Sequence, residues 1–160
     1  MRLAEAVVLL FGLGFIPLSM ASAQDTTTAT QAYRPGLGDL MTMTVQPRHI
    51  KIALAGREKN WTYARYELHE LEEAFERVTR VWPKYKGLPL GGMIDAIAKG
   101  PMAEVAQAID DKNTQRFAAA YAHLTEGCNA CHQAANVGHV AIKAPDASSF
   151  PDQDFRPPKP

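Results

Sequence analysis

The pentapeptide Cys128-Asn129-Ala130-Cys131-His132 constrains this chain more than any other stretch. Two thiols three residues apart, followed at once by an imidazole, have the spacing of covalent haem attachment. On a helix the three side chains fall at i, i+3 and i+4 and share one face, against which a porphyrin edge can lie. On that reading Cys128 and Cys131 bond the haem vinyl groups as thioethers, and His132 ligates the iron from the proximal side. The polypeptide supplies geometry and the haem supplies redox chemistry.

Three other uses of the same residues fit less well. A CxxC redox pair opens a helix just after a strand, whereas here a long helical pattern precedes the motif. A zinc site needs a fourth ligand and usually a second Cys or His pair; His139 is the only nearby candidate. A disulfide within a regular helix strains its geometry and closes only a tiny loop. The position of the motif adds a constraint. No methionine follows His132, and Met41, Met43, Met93 and Met102 all lie upstream. The haem motif therefore belongs to the last helix, with most of the polypeptide folded ahead of it.

The N-terminus reads as a secretory signal over 1–23. Arg2 forms a short basic region, Ala6 to Leu18 are apolar, and Ala21-Ser22-Ala23 gives small-residue cleavage ahead of Gln24. The apolar run is short for a membrane span and is interrupted by Gly12, Gly14 and Pro17. No other stretch is long and apolar enough, so the mature chain is expected to carry no span. Export to the periplasm suits c-type haem attachment, and it leaves no cysteine for a disulfide framework. At 160 residues the chain has room for one domain after cleavage. The 17 basic and 17 acidic side chains balance, and losing Arg2 and Glu5 with the signal keeps them balanced. No basic excess points to nucleic acid.

Residues 24–36, mostly Thr, Ala, Gln and Asp, read as a flexible leader. A first helix is predicted from Gly38 to Gly56, with Asp39 as its cap and an interruption around Gln46 caused by Pro47. The strongest pattern follows Asn60, a predicted N-cap, with Trp61, Ala64, Leu68, Leu71, Phe75, Val78 and Trp82 on one stripe and Pro83 as the stop. Between them lie Arg65, Glu67, Glu70, Glu72, Glu73, Glu76 and Arg77, expected as a solvated face with an acidic excess suited to a basic partner. A weaker helix over Met93–Asp111 is predicted to break at Gly100-Pro101. The last spans about Asn113 to Val137, and Phe117, Tyr121, Leu124, Cys128 and Cys131 form a stripe leading into the motif. Gly138 is the expected stop. Residues 140–160 hold five prolines and read as an extended tail able to dock Phe150 and Phe155.

These features predict an all-α fold: an antiparallel four-helix bundle over 37–139 with the haem motif on its last helix. The signal, the helical periodicity and Cys128, Cys131 and His132 on the final helix resemble the class II c-type cytochromes, the cytochrome c′ family. The resemblance covers roughly Leu37 to His139; Pro47, the broken third helix and the proline-rich tail depart from the usual pattern, as in a divergent relative. It implies a periplasmic monohaem electron carrier with one covalent haem c and redox partner proteins, rather than an enzyme. Binding of NO or CO at an open distal iron is the alternative, and homodimer formation stays open. In the family the first helix faces the distal side of the haem, which singles out His49 as a distal iron ligand. Val45, His49, Ile52 and Gly56 share its face. His123 is predicted to lie on the opposite side of the last helix, His69 to pair with Glu73, and Met41 to be the best alternative ligand.

Overall fold

A computed structural model describes residues 33–159. The expected signal peptide, and the leader as far as residue 32, lie outside the described residues. Helix dominates, and among these residues the only extended pairing is an antiparallel hairpin of two-residue strands, β1 (Lys84–Tyr85) and β2 (Leu88–Pro89). The all-α class follows directly.

The first helical stretch comprises α1 (Leu37–Leu40), a π turn at Met41–Val45, and α2 (Gln46–Arg57). A prolyl ring in an α-helix collides with the carbonyl four residues back, which for Pro47 is that of Met43. The wider π turn moves that carbonyl aside, and the Gln46 N–H bonds the Met41 carbonyl instead. The interruption predicted around Gln46 is therefore a change of helical pitch rather than a break. Asp39 is not the cap residue; it sits in the first turn, where its carboxylate accepts the Gly36 N–H at 3.2 Å.

Helix α3 (Trp61–Val81) begins as predicted, with the Asn60 side chain accepting the Tyr63 N–H at 3.2 Å. Its stripe of Ala64, Leu68, Leu71, Phe75 and Val78 is buried. Leu71→Ala is expected to cost about 2–5 kcal/mol in denaturant unfolding, the range for deleting buried methyl groups. A loss of a few tenths, typical of surface sites, would mean that this stripe is not the core.

The predicted third helix divides into α4 (Leu90–Ile97) and α5 (Lys99–Asp110) at Ala98, ahead of Gly100-Pro101. Proline is tolerated in the first turn of α5, where its missing N–H costs little. It does leave the Ile97 carbonyl without the partner a continuous helix would provide. That carbonyl faces Gly127 on α6 (Thr114–Ala134), where an added Cβ would stand 2.9 Å from it. Glycine one residue before Cys128 thus sets how closely α6 approaches the α4–α5 junction.

Helices α2 and α3, and α5 and α6, pack as two hairpins. Ile52, Leu68, Leu71, Val78, Val105 and Leu124 are essentially inaccessible between them. Both connecting turns use the same device. Lys59 and Lys112 adopt left-handed φ values of 58° and 52°. In each turn the paired 6→1 and 5→2 bonds of a Schellman motif form, Asn60 N–H to Ala55 and Lys59 N–H to Gly56 in the first, Asn113 N–H to Ala108 and Lys112 N–H to Ile109 in the second. The residue that closes one helix, Asn60 or Asn113, is the N-cap of the next.

Beyond α6 the chain runs back along the domain as an irregular tail. Phe155 is buried and stacks on Tyr63 with ring centroids 5.5 Å apart, Phe150 lies beneath the Lys51 ammonium, and the Asn60 amide donates to the Arg156 carbonyl. Both phenylalanines dock as predicted. At the other terminus, Arg34–Gly36 of the predicted leader are anchored: the Arg34 guanidinium sits 3.7 Å above the Trp82 ring, and Trp82 Nε1–H donates to the Pro35 carbonyl at 2.9 Å.

Candidate haem site

Cys128, Cys131 and His132 occupy the last two turns of α6 and are all half-buried. They continue the line of Phe117, Tyr121 and Leu124, which the other helices cover, so the apolar stripe passes from the packed core to a more open face. The thiols are unpaired. Burial, and secondarily the neighbouring Cys131, push the Cys128 thiol up to about 11, and burial raises Cys131. Both are therefore protonated at neutral pH. A catalytic CxxC pair needs a thiol lowered into the physiological range, the reverse of what burial does here.

The helix does not end at Gly138. Ala135 closes it and Asn136 takes the left-handed conformation at φ 57°, with Val137 N–H bonded to His132 C=O and Asn136 N–H to Gln133 C=O. Asparagine is the commonest non-glycine residue to serve there. The turn sends the chain back over the motif. His132 Nδ1–H donates to the Val140 carbonyl at 2.6 Å. A carbonyl can only accept, so Nδ1 carries a proton, and in the neutral tautomer Nε2 holds the lone pair. The Asn129 side chain bonds both backbone groups of Ile142, donating to its carbonyl at 2.9 Å and accepting its N–H at 2.7 Å. Neither Val140 as the partner of His132 nor Ile142 as the partner of Asn129 stands out in the sequence. Only the reversal at Asn136 brings them together.

His49 is buried, 3 % exposed, and not a surface residue beside Arg48 and Lys51. Its Nε2 lies 3.0 Å from Thr125 Oγ1 and its Nδ1 2.9 Å from the Tyr121 hydroxyl, with the two rings 4.7 Å apart. Thr125 gives its own proton to the Tyr121 carbonyl, so the bookkeeping assigns the proton to Nε2, and Nδ1 accepts from Tyr121. The partners of His49 are thus on α6, Thr125 one turn and Tyr121 two turns before Cys128. Ligating iron through Nε2 requires exchanging Thr125 for the metal and moving the proton to Nδ1, where the Tyr121 oxygen can accept it. Tyr121 would then donate to the His49 carbonyl, already 3.0 Å away.

The remaining histidines are placed as their spacing suggests. His69 pairs with Glu73 at 3.5 Å and with Glu72, His123 is exposed and bonded to Glu104 at 2.9 Å, and His139 is exposed. Met41 is half-buried against the core. A cavity of about 180 Å³ lies between α2, the first half of α6 and Ala144-Pro145, and does not include the motif. Among the described residues no helix is long and apolar enough to cross a membrane.

Burial holds the His49 imidazole down at about 4. Its native form stays neutral while the unfolded form takes up a proton below about 6.5. The sign is fixed: stability is unaffected above that pH and falls as pH drops from about 6.5 to about 4, by roughly 3 kcal/mol in all. Unfolding free energies across that interval should show the slope, and His49→Gln should remove it.

No family model, curated protein or solved structure matches this chain.

Proposed function

We propose that this chain is an exported monohaem c-type cytochrome that carries single electrons, with haem c held by Cys128 and Cys131 and its iron ligated by His132. One observation carries the reading. Two unpaired thiols share a helical face with an imidazole whose Nδ1 is held 2.6 Å from a backbone carbonyl, which in the neutral ring leaves Nε2 for a metal. A bound haem supplies one-electron Fe(III)/Fe(II) chemistry. The chain's part is to tether the ring edge through two side chains, to orient the imidazole, and to meet the ring with the apolar stripe that runs up α6. In this proposal the two helical hairpins make a four-helix bundle of class II type, and the exposed Glu72, Glu73 and Glu76 on α3 offer a basic redox partner a docking face.

Two versions of the distal side follow. In the first, His49 exchanges Thr125 for iron, giving a six-coordinate, low-spin centre with a lower potential than a His/Met pair. The second is an open distal position that binds NO or CO, and it is favoured by the engagement of both His49 nitrogens with α6. Optical spectra of the purified protein, oxidised and reduced, with and without carbon monoxide, separate them. A low-spin ferric spectrum and no carbon monoxide adduct, both reversed by His49→Ala, support ligation by His49. A high-spin spectrum with immediate gas binding makes the second reading the function.

A further inference from the structure

We infer that Asn129, the residue inside the cysteine pair, is a positioning residue for the proximal histidine: it clamps Ile142 and so sets the Val140 carbonyl that accepts from His132. The inference rests on the haem reading above and adds a determinant of the iron's potential.

The hydrogen bond at issue is the 2.6 Å contact from His132 Nδ1 to the Val140 carbonyl. An imidazole that donates firmly from one nitrogen is more basic at the other, and as an iron ligand it favours the ferric state. The strength of that bond depends on where the carbonyl is held. The Val140 side chain cannot hold it, being 47 % exposed, and His139 before it is exposed as well. The backbone must do so. On the N-terminal side the tether is Val140 N–H to the Val137 carbonyl at 2.9 Å, in the turn that Asn136 opens. On the C-terminal side it is Asn129, whose carboxamide meets the N–H and C=O of Ile142 as a neighbouring strand would. A primary amide carries the donor and acceptor that this pairing needs; a carboxylate has acceptors alone, and alanine has neither. Asn129 is three residues before His132 on the same helix, so the clamp and the imidazole move as one body and the carbonyl is registered against both.

The test uses the full chain exported and matured with its haem, as wild type, Asn129→Ala, Asn129→Asp and Phe155→Ala. In Asn129→Ala, backbone exchange at the Ile142 N–H should accelerate by about tenfold or more. The midpoint potential should move positive, with the haem-to-protein ratio unchanged. Asn129→Asp keeps an acceptor for the Ile142 N–H and should fall between. Phe155→Ala loosens the tail at its far end, so it should lower the melting temperature and leave the potential where it was. The inference is overturned if exchange at Ile142 accelerates in Asn129→Ala and the potential stays at the wild-type value. It is equally overturned if Phe155→Ala shifts the potential as much as Asn129→Ala does, for then general loosening is the cause. Should Asn129→Ala not fold, Asn129→Asp carries the same comparison. A wild-type chain that leaves maturation without covalent haem defeats the haem reading itself, an outcome distinct from an unmoved potential in a haem-loaded variant.

Discussion

Replacing Cys128 and Cys131 together by Ala is expected to leave a chain from which acid-acetone extracts all the haem, whereas the unaltered protein keeps its haem in the aqueous, protein-bound fraction. On the proposed haem reading the effect is all-or-none, because each thioether would be a covalent bond and with neither formed only His132 and packing would hold the ring. Single substitutions should retain a weaker, one-point attachment with an altered reduced-state spectrum. The thermal midpoint of the double variant should fall as well, since a haem packed on the upper part of α6 contributes many contacts that the solvent-filled alternative lacks. Full extraction of haem from the unaltered protein would rule out the covalent reading, whatever haem the protein binds loosely.

The second large effect is expected at Glu67. Its carboxylate is 1 % exposed and lies between the Arg48 guanidinium at 3.0 Å and the Lys51 ammonium at 3.8 Å, so it joins α3 to α2. Arg48 also reaches Glu70 at 3.1 Å. Removing one member of a buried pair leaves the other charge unpartnered away from water, at a cost of about 3–5 kcal/mol. Glu67→Ala should lose that much in denaturant unfolding. Lys51 is the residue left without an anionic partner, with only the Phe150 ring beneath it and its side chain 12 % exposed, whereas Arg48 keeps Glu70. Glu67→Gln retains volume and hydrogen bonding but not charge. If it costs as much as Glu67→Ala, ion pairing is the main contribution; if it costs almost nothing, the effect of the alanine variant is a cavity.

Glu67 also marks where sequence reasoning stops. A glutamate at the margin of an apolar stripe looks like its solvated neighbours Glu72 and Glu73, and only the approach of α2 decides that it is covered. Local signals were otherwise sufficient for the helices. Asn60 as a cap, the stripe of α3 and the spacing along α6 are all short-range properties of the backbone and of side-chain periodicity. The helix ends were legible only in part. Lys59, Lys112 and Asn136 occupy left-handed positions that favour glycine, and a lysine there gives no warning. Within the candidate site, the two thiols and the imidazole announce themselves by spacing alone. Their partners do not: Ile142 is 13 residues from Asn129 and Tyr121 is 72 from His49, distances over which one sequence carries no pairing information.

The π turn at Met41–Val45 has a consequence for how this chain can gain or lose residues. Each residue in an α-helix advances about 100° around the axis, so a five-residue step between two core positions would put them well apart on an ordinary helix. Leu40 and Val45 stand five apart and are both buried, as are His49 and Ile52 further on. The wide turn absorbs the surplus residue and keeps both segments facing inward. Deleting one residue there would let an ordinary turn form without rotating α1 relative to α2, in a place where a deletion would normally scramble a helical face. The shortened chain would meet Pro47 directly, however, with the carbonyl four residues back restored to its path. Such a deletion is therefore expected to be tolerated only with a second change that replaces Pro47, so that the length of this segment and the identity of that residue constrain each other.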